Sequence, residues 1–401
     1  MVKKAQWEKT KLSNVCSIVA PMVNPQESQY AMLPHIGNES IDKHSGLLLN
    51  YNLVEDDNLI SSKYYFTEKD FLYGKINPQF SKVAYPKFKG LCSADMYPLT
   101  CNSRIIPEYL KAILLSTSFW KYTVSLSQRS GMPKVNRQEI SNYEFILPEV
   151  EEQKNIVVAL SDMDALITEL RKLIQKKKYI RQGTMQMLVT GKKRLSGFRG
   201  DWIKINLSKN SKLKARIGWQ GLTTAEYLDE GYSYLITGTD FKDGQINWNG
   251  CHYVDYDRYA QDPNIQVSNG DLLLTKDGTI GKVAYVTGLK RPATLNSGVF
   301  LVKPITDAYT AHFMVYVLES SVFKDFLQQL SAGSTINHLY QKDLVKFELF
   351  VPPTKEEQET IAGILFDMDS EIHKLEEKLS KIQKVKQGMM EELLTGKVRL
   401  V

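Results

Sequence analysis

Residues 148–195 read PEVEEQKNIVVALSDMDALITELRKLIQKKKYIRQGTMQMLVTGKKRL, and residues 353–400 read PTKEEQETIAGILFDMDSEIHKLEEKLSKIQKVKQGMMEELLTGKVRL. Aligned without gaps at an offset of 205 residues, the two stretches are identical at 21 of 48 positions. Unrelated stretches of ordinary composition would share about three, because identity by chance is roughly 5–7% per position. An internal repeat therefore organises the chain.

Each copy of the repeat has the start and stop signals of one long helix. Pro148 and Pro353 precede an acidic first turn, which suits the positive end of the helix dipole. A Thr-Gly-Lys sequence closes each copy at residues 190–192 and 395–397, with glycine as the helix stop and a cation at the negative end. These signals predict helices of about 39 residues, each on the order of 58 Å long.

A narrow apolar seam runs along each predicted helix. Its residues alternate spacings of four and three, which is the heptad pattern of a coiled coil. They are Ile156, Leu160, Met163, Ile167, Leu170 and Ile174 in the first copy, and Ile361, Leu365, Met368, Ile372, Leu375, Leu379 and Ile382 in the second. The first pattern blurs near residues 176–178. So narrow a seam needs a partner helix, and we expect the two copies to pair antiparallel because a globular segment separates them. Two amphipathic helices in separate cores remain the alternative.

Composition places the chain among ordinary globular proteins of two or three domains. It has 401 residues, 43% hydrophobic and 24% charged, with a formal net charge of +6 that permits nucleic-acid binding without requiring it. We expect a cytoplasmic protein without membrane contact, because no apolar run has the length of a span and MVKKAQWEKT lacks a signal-peptide core. The four cysteines and six histidines show neither metal-ligand nor disulfide spacing, so no metal site is predicted.

The repeat divides the chain into alternating globular and helical segments. We predict globular domains at 1–147 and 196–352 and helical regions at 148–195 and 353–401. Both globular segments open on a tryptophan, contain short β-rich runs with Gly, Asn and Asp turns, and close on an apolar strand that runs into proline. Each is expected to contain one short helix, near residues 107–122 and 308–330. The predicted fold class is α+β: two mixed α/β domains separated by two long helices that pair as an antiparallel coiled coil.

Three groups of residues give the chain a family resemblance. They are the helix starts PEVEEQKNI and PPTKEEQETI, the helix ends LVTGKKRL and LLTGKVRL, and GDLLLTKDGTIGKVAYV at residues 270–286. With this duplicated order along its whole length, the chain resembles the specificity subunits of Type I DNA restriction–modification systems. The first domain departs from the pattern, because FLYGKINPQF at residues 71–80 lacks the DGTIGK continuation. The sequence alone therefore does not establish which loops of the two domains correspond.

The resemblance implies a non-catalytic DNA-binding subunit. In that family each globular segment is a target recognition domain that reads one half of a bipartite, asymmetric site on double-stranded DNA. The long helices form an antiparallel pair that fixes the spacing between the halves and docks two modification subunits. Those partners methylate adenine with S-adenosylmethionine, and motor-nuclease restriction subunits join them. The specificity subunit itself is not an enzyme, and no cofactor is expected on it.

Polar and cationic residues in the loops of each domain are the candidate DNA contacts. Reading a sequence needs side chains that match base edges, and holding the backbone needs cations. The first domain offers Lys75, Asn77, Gln79, Lys82, Arg129, Ser130, Lys134, Asn136 and Arg137. The second offers Arg216, Gln220, Lys276, Thr279, Lys282, Ser334, Thr335, Asn337, His338 and Tyr340. The last group of each domain lies just before the closing strand, whereas Asp277 with Gly278 is assigned to turn chemistry.

Motifs that suggest catalysis are incomplete. Residues 77–80, Asn-Pro-Gln-Phe, resemble the loop of amino-methyltransferases but have glutamine in place of the second proline. Residues 278–282 resemble part of a phosphate loop that lacks its first glycine and its final Ser or Thr. Two alternatives stay open. A stand-alone DNA adenine methyltransferase requires S-adenosylmethionine binding by this chain, and a non-DNA coiled-coil scaffold with two β-rich binding modules predicts weak DNA affinity without sequence preference.

Overall fold

The computed structural model describes residues 7–18, 20–127, 131–218, 221–331 and 338–400, and it confirms the mixed α/β fold with two long helices. The chain divides into two compact units. Unit 1 comprises Met1–Lys172 and Glu377–Val401, and unit 2 comprises Leu173–Glu376. Each unit therefore contains one globular segment and a part of both long helices. The domain limits drawn from the sequence stay a prediction.

Unit 1 is built on two sheets and a two-stranded ribbon. Its strands are β1 (Glu8–Lys11), β2 (Cys16–Ser17), β3 (Met22–Val23), β4 (Pro34–Ile36), β5 (Asn52–Leu53), β6 (Lys63–Phe66), β7 (Asp70–Gly74), β8 (Val83–Ala84), β9 (Gly90–Cys92), β10 (Met96–Cys101) and β11 (Glu144–Leu147). One sheet has the antiparallel order β2-β10-β7-β8. The other has the order β3-β6-β9-β4-β5, with β4 and β9 parallel, and β1 pairs with β11. Its helices are α1 (Pro107–Leu114), α2 (Thr117–Leu126), α3 (Arg137–Ser141), the part of α4 (Val150–Val189) up to Lys172 and the part of α10 (Lys355–Leu394) from Glu377 onward.

Unit 2 has the same plan, but its second sheet has three strands instead of five. Its strands are β12 (Ile203–Asn206), β13 (Ser211–Lys214), β14 (Ser233–Ile236), β15 (Phe241–Lys242), β16 (Gln245–Ile246), β17 (His252–Val254), β18 (Leu272–Thr275), β19 (Val283–Tyr285), β20 (Ala293–Leu295), β21 (Val299–Pro304) and β22 (Glu348–Val351). Its helices are the part of α4 from Leu173 onward, α5 (Leu207–Asn210), α6 (Tyr256–Ala260), α7 (Ala311–Glu319), α8 (Ser321–Ser331), α9 (Gln341–Leu344) and the part of α10 up to Glu376. The sheets have the orders β13-β21-β18-β19 and β17-β14-β20, with β14 and β20 parallel, and β12 pairs with β22.

The strand orders answer the question of which loops correspond. β7 lies between β10 and β8 in unit 1, and β18 lies between β21 and β19 in unit 2, so the two strands hold the same place in their sheets. Both are buried along their whole length, which explains why each contains a continuous apolar run, at residues 71–73 and 272–274, rather than an alternating pattern. The loop after FLYG in unit 1 is therefore equivalent to the loop after LLLT in unit 2.

The prediction of one short helix in each globular segment is wrong in one respect, because the structure has two consecutive helices at each place. In unit 1 Ser116 separates α1 from α2, and its side chain caps α2 by accepting a hydrogen bond from the backbone nitrogen of Phe119. In unit 2 Ser320 separates α7 from α8. A serine within an amphipathic pattern was the signal for the break. No helix in the described ranges has the combination of length and apolar character that crossing a membrane requires.

The two long helices have 40 residues each, close to the predicted length, and they run antiparallel within each unit. In unit 1 the contacts of α4 with the C-terminal part of the chain pass from Arg399 back to Lys386 as residue number rises from Glu152 to Asp164. In unit 2 they pass from Glu371 at Lys177 to Glu357 at Arg194, just beyond the end of α4. Gly191 and Gly396 end the helices with φ of 70° and 73°, which confirms their role as helix stops.

The predicted seam is used for two kinds of packing. Ile156 and Leu160 enter the hydrophobic core of unit 1, and Ile361 and Leu365 enter that of unit 2. Nearer the middle of the helices Ile167, Leu170, Ile174 and Ile372 are buried, whereas Met163, Met368, Leu375, Leu379 and Ile382 are partly buried. The start of each helix therefore belongs to a globular core, and the middle is left to helix–helix packing.

A Glu-Gln dipeptide that both copies share fixes each long helix to its globular segment. Gln153 and Gln358 are 0% and 1% exposed. Each side-chain nitrogen donates to two backbone carbonyls, and each side-chain oxygen accepts from one backbone N–H, at 2.8–3.0 Å. The partners are Arg104, Ile106 and Pro148 for Gln153, and Ala308, Thr310 and Pro352 for Gln358. This satisfied network explains the identity of glutamine in both copies.

Candidate nucleic-acid interface

Two segments chosen from the sequence of the first domain meet in unit 1. Ile76, after β7, and Lys134, before α3, form an isolated antiparallel bridge. The backbone nitrogen of Val135 donates to the carbonyl oxygen of Lys75 at 3.0 Å, and that of Asn77 donates to Pro133 at 2.8 Å. The loop after β7 and the segment before α3 therefore form one continuous edge.

The corresponding segments also meet in unit 2 and share one of these hydrogen bonds. Asp277, after β18, and His338, before α9, form the equivalent bridge. The backbone nitrogen of Leu339 donates to the carbonyl oxygen of Lys276 at 2.8 Å, as Val135 does to Lys75 in unit 1. We define these two places as edge 1 (residues 75–82 with 131–137) and edge 2 (residues 276–282 with 338–340).

Several candidate side chains of edge 1 are committed to the fold. Lys75 Nζ donates to the carbonyl oxygen of Ala94 at 2.7 Å, and Lys82 donates to the carbonyl of Asn38, where burial lowers the pKa of the lysine. The Gln79 side chain donates from Nε2 to Asn77 Oδ1 at 3.4 Å, and the backbone carbonyl of Gln79 accepts from Trp120 Nε1 at 3.0 Å. The backbone of Asn77 lies in the left-handed region with φ of 52°. These residues shape the edge rather than project from it.

The residues around the start of α3 have different roles, since some hold the fold together and one is exposed without a partner among the described residues. Asn136 is the N-cap of α3, with its Oδ1 accepting from the backbone nitrogen of Glu139 at 2.9 Å, in a capping box that the Asn-x-x-Glu spacing could have indicated. The Arg137 guanidinium lies over the rings of Tyr64 and Tyr97, at 5.5 and 5.4 Å from their centroids. Lys134 is exposed and has no hydrogen-bond partner among the described residues. It is the clearest phosphate-binding candidate of edge 1.

Edge 2 also presents exposed side chains. Thr279, Lys282 and Tyr340 are exposed, and the His338 side chain is 53% exposed. Lys276 is held by Asp277, with Nζ 2.9 Å from Oδ2. Asp277 therefore does more than form the turn that the sequence assigned to it, because its carboxylate also binds the Lys276 side chain.

Arg216 has a different placement from that expected of a DNA contact. It is 2% exposed, its Nε donates to the carbonyl oxygen of Leu295 at 2.9 Å, and its Nη2 donates to Thr294 Oγ1 at 3.2 Å. Burial lowers the pKa of this guanidinium. We correct the sequence-based assignment accordingly: Arg216 holds its loop against β20. Sequence alone could not separate it from an exposed loop arginine.

Six candidates lie outside the described residues. They are Arg129 and Ser130 of the first domain and Gln220, Ser334, Thr335 and Asn337 of the second. Their assignment as DNA contacts stays a prediction.

Loops that sequence reasoning missed adjoin both edges. In unit 1 the loops after the parallel strands β4 and β9 contain Asn38 and Ala94, which receive the lysine hydrogen bonds of edge 1. In unit 2 the loop after β20 contacts edge 2 through the backbone nitrogen of Lys276, which donates to Gly298 at 2.9 Å. Asn296 is a polar residue of this loop, and an Asn-Ser-Gly turn directly after an apolar strand was the available signal.

The described residues contain no group of three or more His, Cys, Asp or Glu side chains placed to hold a metal ion. Burial raises the pKa of the thiols of Cys16, Cys101 and Cys251 to about 12, so these cysteines are protonated at neutral pH. The arrangement offers hydrogen-bonding edges and cations, which is the chemistry of recognition.

Comparison with known proteins identifies the family. The Type I restriction modification DNA specificity domain matches the chain twice, at residues 4–182 and 190–384. The chain belongs to this family. The two matches together span most of the sequence and coincide with the duplicated order of strands in the two units.

Relatives and solved structures agree with this assignment. The type I restriction enzyme MjaVIII specificity subunit of Methanocaldococcus jannaschii is 28% identical over 331 residues, covering 78% of this chain and 75% of the relative. A chain from a structure of complex assembly in the type I R-M system has a TM-score of 0.60 at 17% identity, and the S subunit of a Type-I restriction–modification system from M. genitalium has 0.58 at 14%. Each covers 98% of this chain, with 98% and 97% of the other chain matched, and shows likeness of fold.

As specificity domains, the two globular segments share a frame and differ in their edges. The frame consists of the duplicated sheets and the Glu-Gln attachment to the long helices. At the equivalent bridge, edge 1 has Ile76 opposite Lys134 and edge 2 has Asp277 opposite His338. One frame therefore presents two chemically different surfaces.

Proposed function

We propose that the chain is the DNA specificity subunit of a Type I restriction–modification complex, in which edge 1 and edge 2 each read one half of a bipartite, asymmetric site. The observation that carries the proposal is the pair of equivalent but chemically different edges on one duplicated frame. Two unlike readers in one chain suit a DNA target with unlike halves, because sequence is read through side chains that match base edges.

The long helices supply the remaining part of the proposal. An α-helix is a stiff spacer of 1.5 Å per residue, whereas a flexible linker would not fix the distance between two half-sites. The relative from M. jannaschii is named a specificity subunit, and one structural neighbour comes from an assembled type I R-M system. By this reasoning the helices set the length of the unread gap and dock two modification subunits, with the motor-nuclease subunits joining the assembled complex.

A single substitution tests whether the two edges act independently. Lys134→Ala removes a cation from edge 1, so we expect weaker binding of the full complex to its target and a salt dependence reduced by about one counterion. Lys172→Ala, an exposed helix lysine paired with Glu169, is the matched control and should leave DNA binding unchanged. Affinity should be measured over a range of salt on targets altered in one half-site at a time. Loss of discrimination at both halves by Lys134→Ala would contradict the assignment.

The two alternatives make different predictions for the same preparation. A stand-alone methyltransferase would bind S-adenosylmethionine without the modification subunits, whereas the proposed subunit would not. A scaffold without DNA function would show weak DNA affinity with no preference between sequences.

A further inference from the structure

A three-residue side-chain cluster stands on edge 2. His338 Nδ1 lies 2.5 Å from Asp277 Oδ1, and Lys276 Nζ lies 2.9 Å from Asp277 Oδ2. The backbones of Asp277 and His338 are also paired, so the side-chain contact is set by the fold on both sides. Both carboxylate oxygens of Asp277 are therefore occupied, one by an imidazole and one by an ammonium group.

The ionisation of Asp277 decides which nitrogen of His338 carries the proton. Partial burial opposes ionisation, but the hydrogen bonds from Lys276 and His338 outweigh it, and the pKa of the Asp277 carboxyl lies below its ordinary value. An ionised carboxylate only accepts hydrogen bonds, so Nδ1 of His338 must be the donor. In a neutral imidazole the other nitrogen, Nε2, is then an acceptor.

The Nε2 atom of His338 is left for a partner outside the protein. Within the ranges that the structure describes, the hydrogen bond of the ring is the one from Nδ1, and the side chain is half exposed. Tyr340 lies beside it with a ring separation of 5.9 Å. An oriented acceptor on a DNA-facing edge calls for a donor on the DNA.

Base chemistry limits what that donor can be. In the major groove, the exocyclic amino groups of adenine and cytosine are donors, whereas guanine N7 and O6 and thymine O4 are acceptors. An acceptor held against another acceptor leaves both unsatisfied and is selected against.

We infer that His338 determines specificity at one position of the second half-site, with Asp277 as the positioning residue that fixes the tautomer whose Nε2 accepts a hydrogen bond from the amino group of adenine or cytosine. This inference rests on the proposed function. Edge 1 offers an internal contrast, because Ile76 and Lys134 occupy the equivalent bridge and provide no such acceptor.

The decisive variant is Asp277→Asn. Lys276 is a donor and needs the amide oxygen, so the amide nitrogen would face Nδ1 of His338 and make Nδ1 an acceptor. Nε2 would then carry the proton and become a donor. The favoured base at the contacted position should change from adenine or cytosine to guanine or thymine, whose major-groove edges present acceptors at N7 and O6 and at O4.

The measurement is a selection from randomised DNA by the full complex containing the wild-type chain, Asp277→Asn or His338→Ala. We expect Asp277→Asn to shift the preference at one position of one half-site by about ten- to a hundredfold, the discrimination typical of one good base contact. His338→Ala, at a half-exposed site that should tolerate truncation, should lose discrimination at the same position. Preferences in the half-site read by edge 1 should not change.

Two results would overturn the inference. One is unchanged base preference at every position in both variants. The other is a uniform weakening over the whole half-site, which would give the cluster a structural role without a reading role. If the wild-type complex itself selected no bipartite site, the proposed function would fail as a whole, which is a distinguishable outcome.

Discussion

At the scale of single residues, Glu152 and Glu357 show what the repeat preserves. Glu152 accepts two hydrogen bonds of 2.6 Å from Arg399, and Glu357 accepts bonds of 2.9 and 2.8 Å from Arg194. Glutamate and arginine stand 205 residues from their counterparts, and each bidentate pair joins the start of one long helix to the segment that follows the end of the other. Planar arginine suits this geometry better than lysine.

The Glu152 pair leads to a prediction about pH. Burial raises the pKa of the Glu152 carboxyl, but the hydrogen bonds from Arg399 and Trp7 outweigh it, and the net pKa is below the ordinary value. A carboxyl whose folded pKa is depressed stabilises the fold fully above its unfolded pKa of about 4.3, and loses that contribution as pH falls through the folded pKa. Glu152→Gln should therefore lower the free energy of unfolding by about 1–3 kcal/mol at pH 7.

The difference between wild type and Glu152→Gln should shrink as pH falls below about 4, because the wild-type carboxyl then becomes neutral as well. Denaturant unfolding at a series of pH values measures it. Comparison with the variant isolates this group from the other carboxylates of the chain. A difference that stays constant from pH 7 to pH 3 would contradict the assigned role.

Sequence reasoning about individual site residues had a physical limit. It named two candidate segments in each domain but did not predict that they lie beside one another, because strand and bridge pairing joins residues far apart in the chain. It could not tell that Arg216 is buried, because a polar loop residue has the same composition signal whether it is buried or exposed, whereas the Asn136 cap is marked by the local Asn-x-x-Glu spacing. The placement of the Arg216 side chain depends on Thr294 and Leu295, which lie far away in the sequence.

At the scale of the helices, the apolar seam of α4 gives way after Ile174 to basic residues that occupy the next seam positions and form ion pairs with α10. After Ile174 the spacing of three and four leads to Lys177 and Arg181, which bind Glu371 and Asp369 of the antiparallel helix. Arg181 also binds Glu319 of α7 at 2.6 Å. Hydrophobic periodicity alone could not predict this continuation, because it depends on acidic partners in distant parts of the chain.

The repeat supplies two equivalent ion pairs, Arg181–Asp369 and Lys386–Asp164, for testing the basic residues of the seam. Lys386 is the equivalent of Arg181 at the offset of 205 and binds Asp164, the equivalent of Asp369. Glu319 and Asp369 are 18% and 25% exposed, whereas Asp164 is 52% exposed. Loss of the cation should therefore leave poorly hydrated carboxylates in unit 2 and a well-hydrated one in unit 1.

We expect Arg181→Met to lower the free energy of unfolding by about 2–4 kcal/mol and Lys386→Met by less than about 1 kcal/mol. Denaturant unfolding of the full chain, with hydrogen exchange to assign the loss to a unit, measures both. Equal losses in the two variants would mean that burial of the acidic partners does not decide the cost.

At the scale of the whole molecule, the sequence was most informative where it repeats. The two long helices, their ends and their pairing follow from the 48-residue duplication, since helix signals are local and periodic. The equivalence of the globular sheets was invisible at the level of sequence identity and appears in the shared strand order. Strand pairing joins residues far apart in the chain, so short strands carry little of it in their own sequences.

The spacing role of the helices predicts the effect of lengthening them together. Seven residues inserted after Lys172 in α4 and seven after Glu376 in α10 preserve the heptad register and add about 10 Å to each helix. DNA rises about 3.4 Å per base pair, so the gap between the half-sites should grow by about three base pairs. Both half-sites should stay as they are. Selection of the bound DNA from a library with variable gaps measures the change, and an unaltered gap would refute the spacing role.

The measurement that tests the central claim most directly is a map of methylated adenines in a host that expresses this chain with its modification subunit. Two unlike edges on one frame predict a single bipartite motif, with two different halves and a fixed gap, that appears only when the chain is present. Methylation at the same sites with and without the chain would contradict the claim, because the chain would then not choose the site.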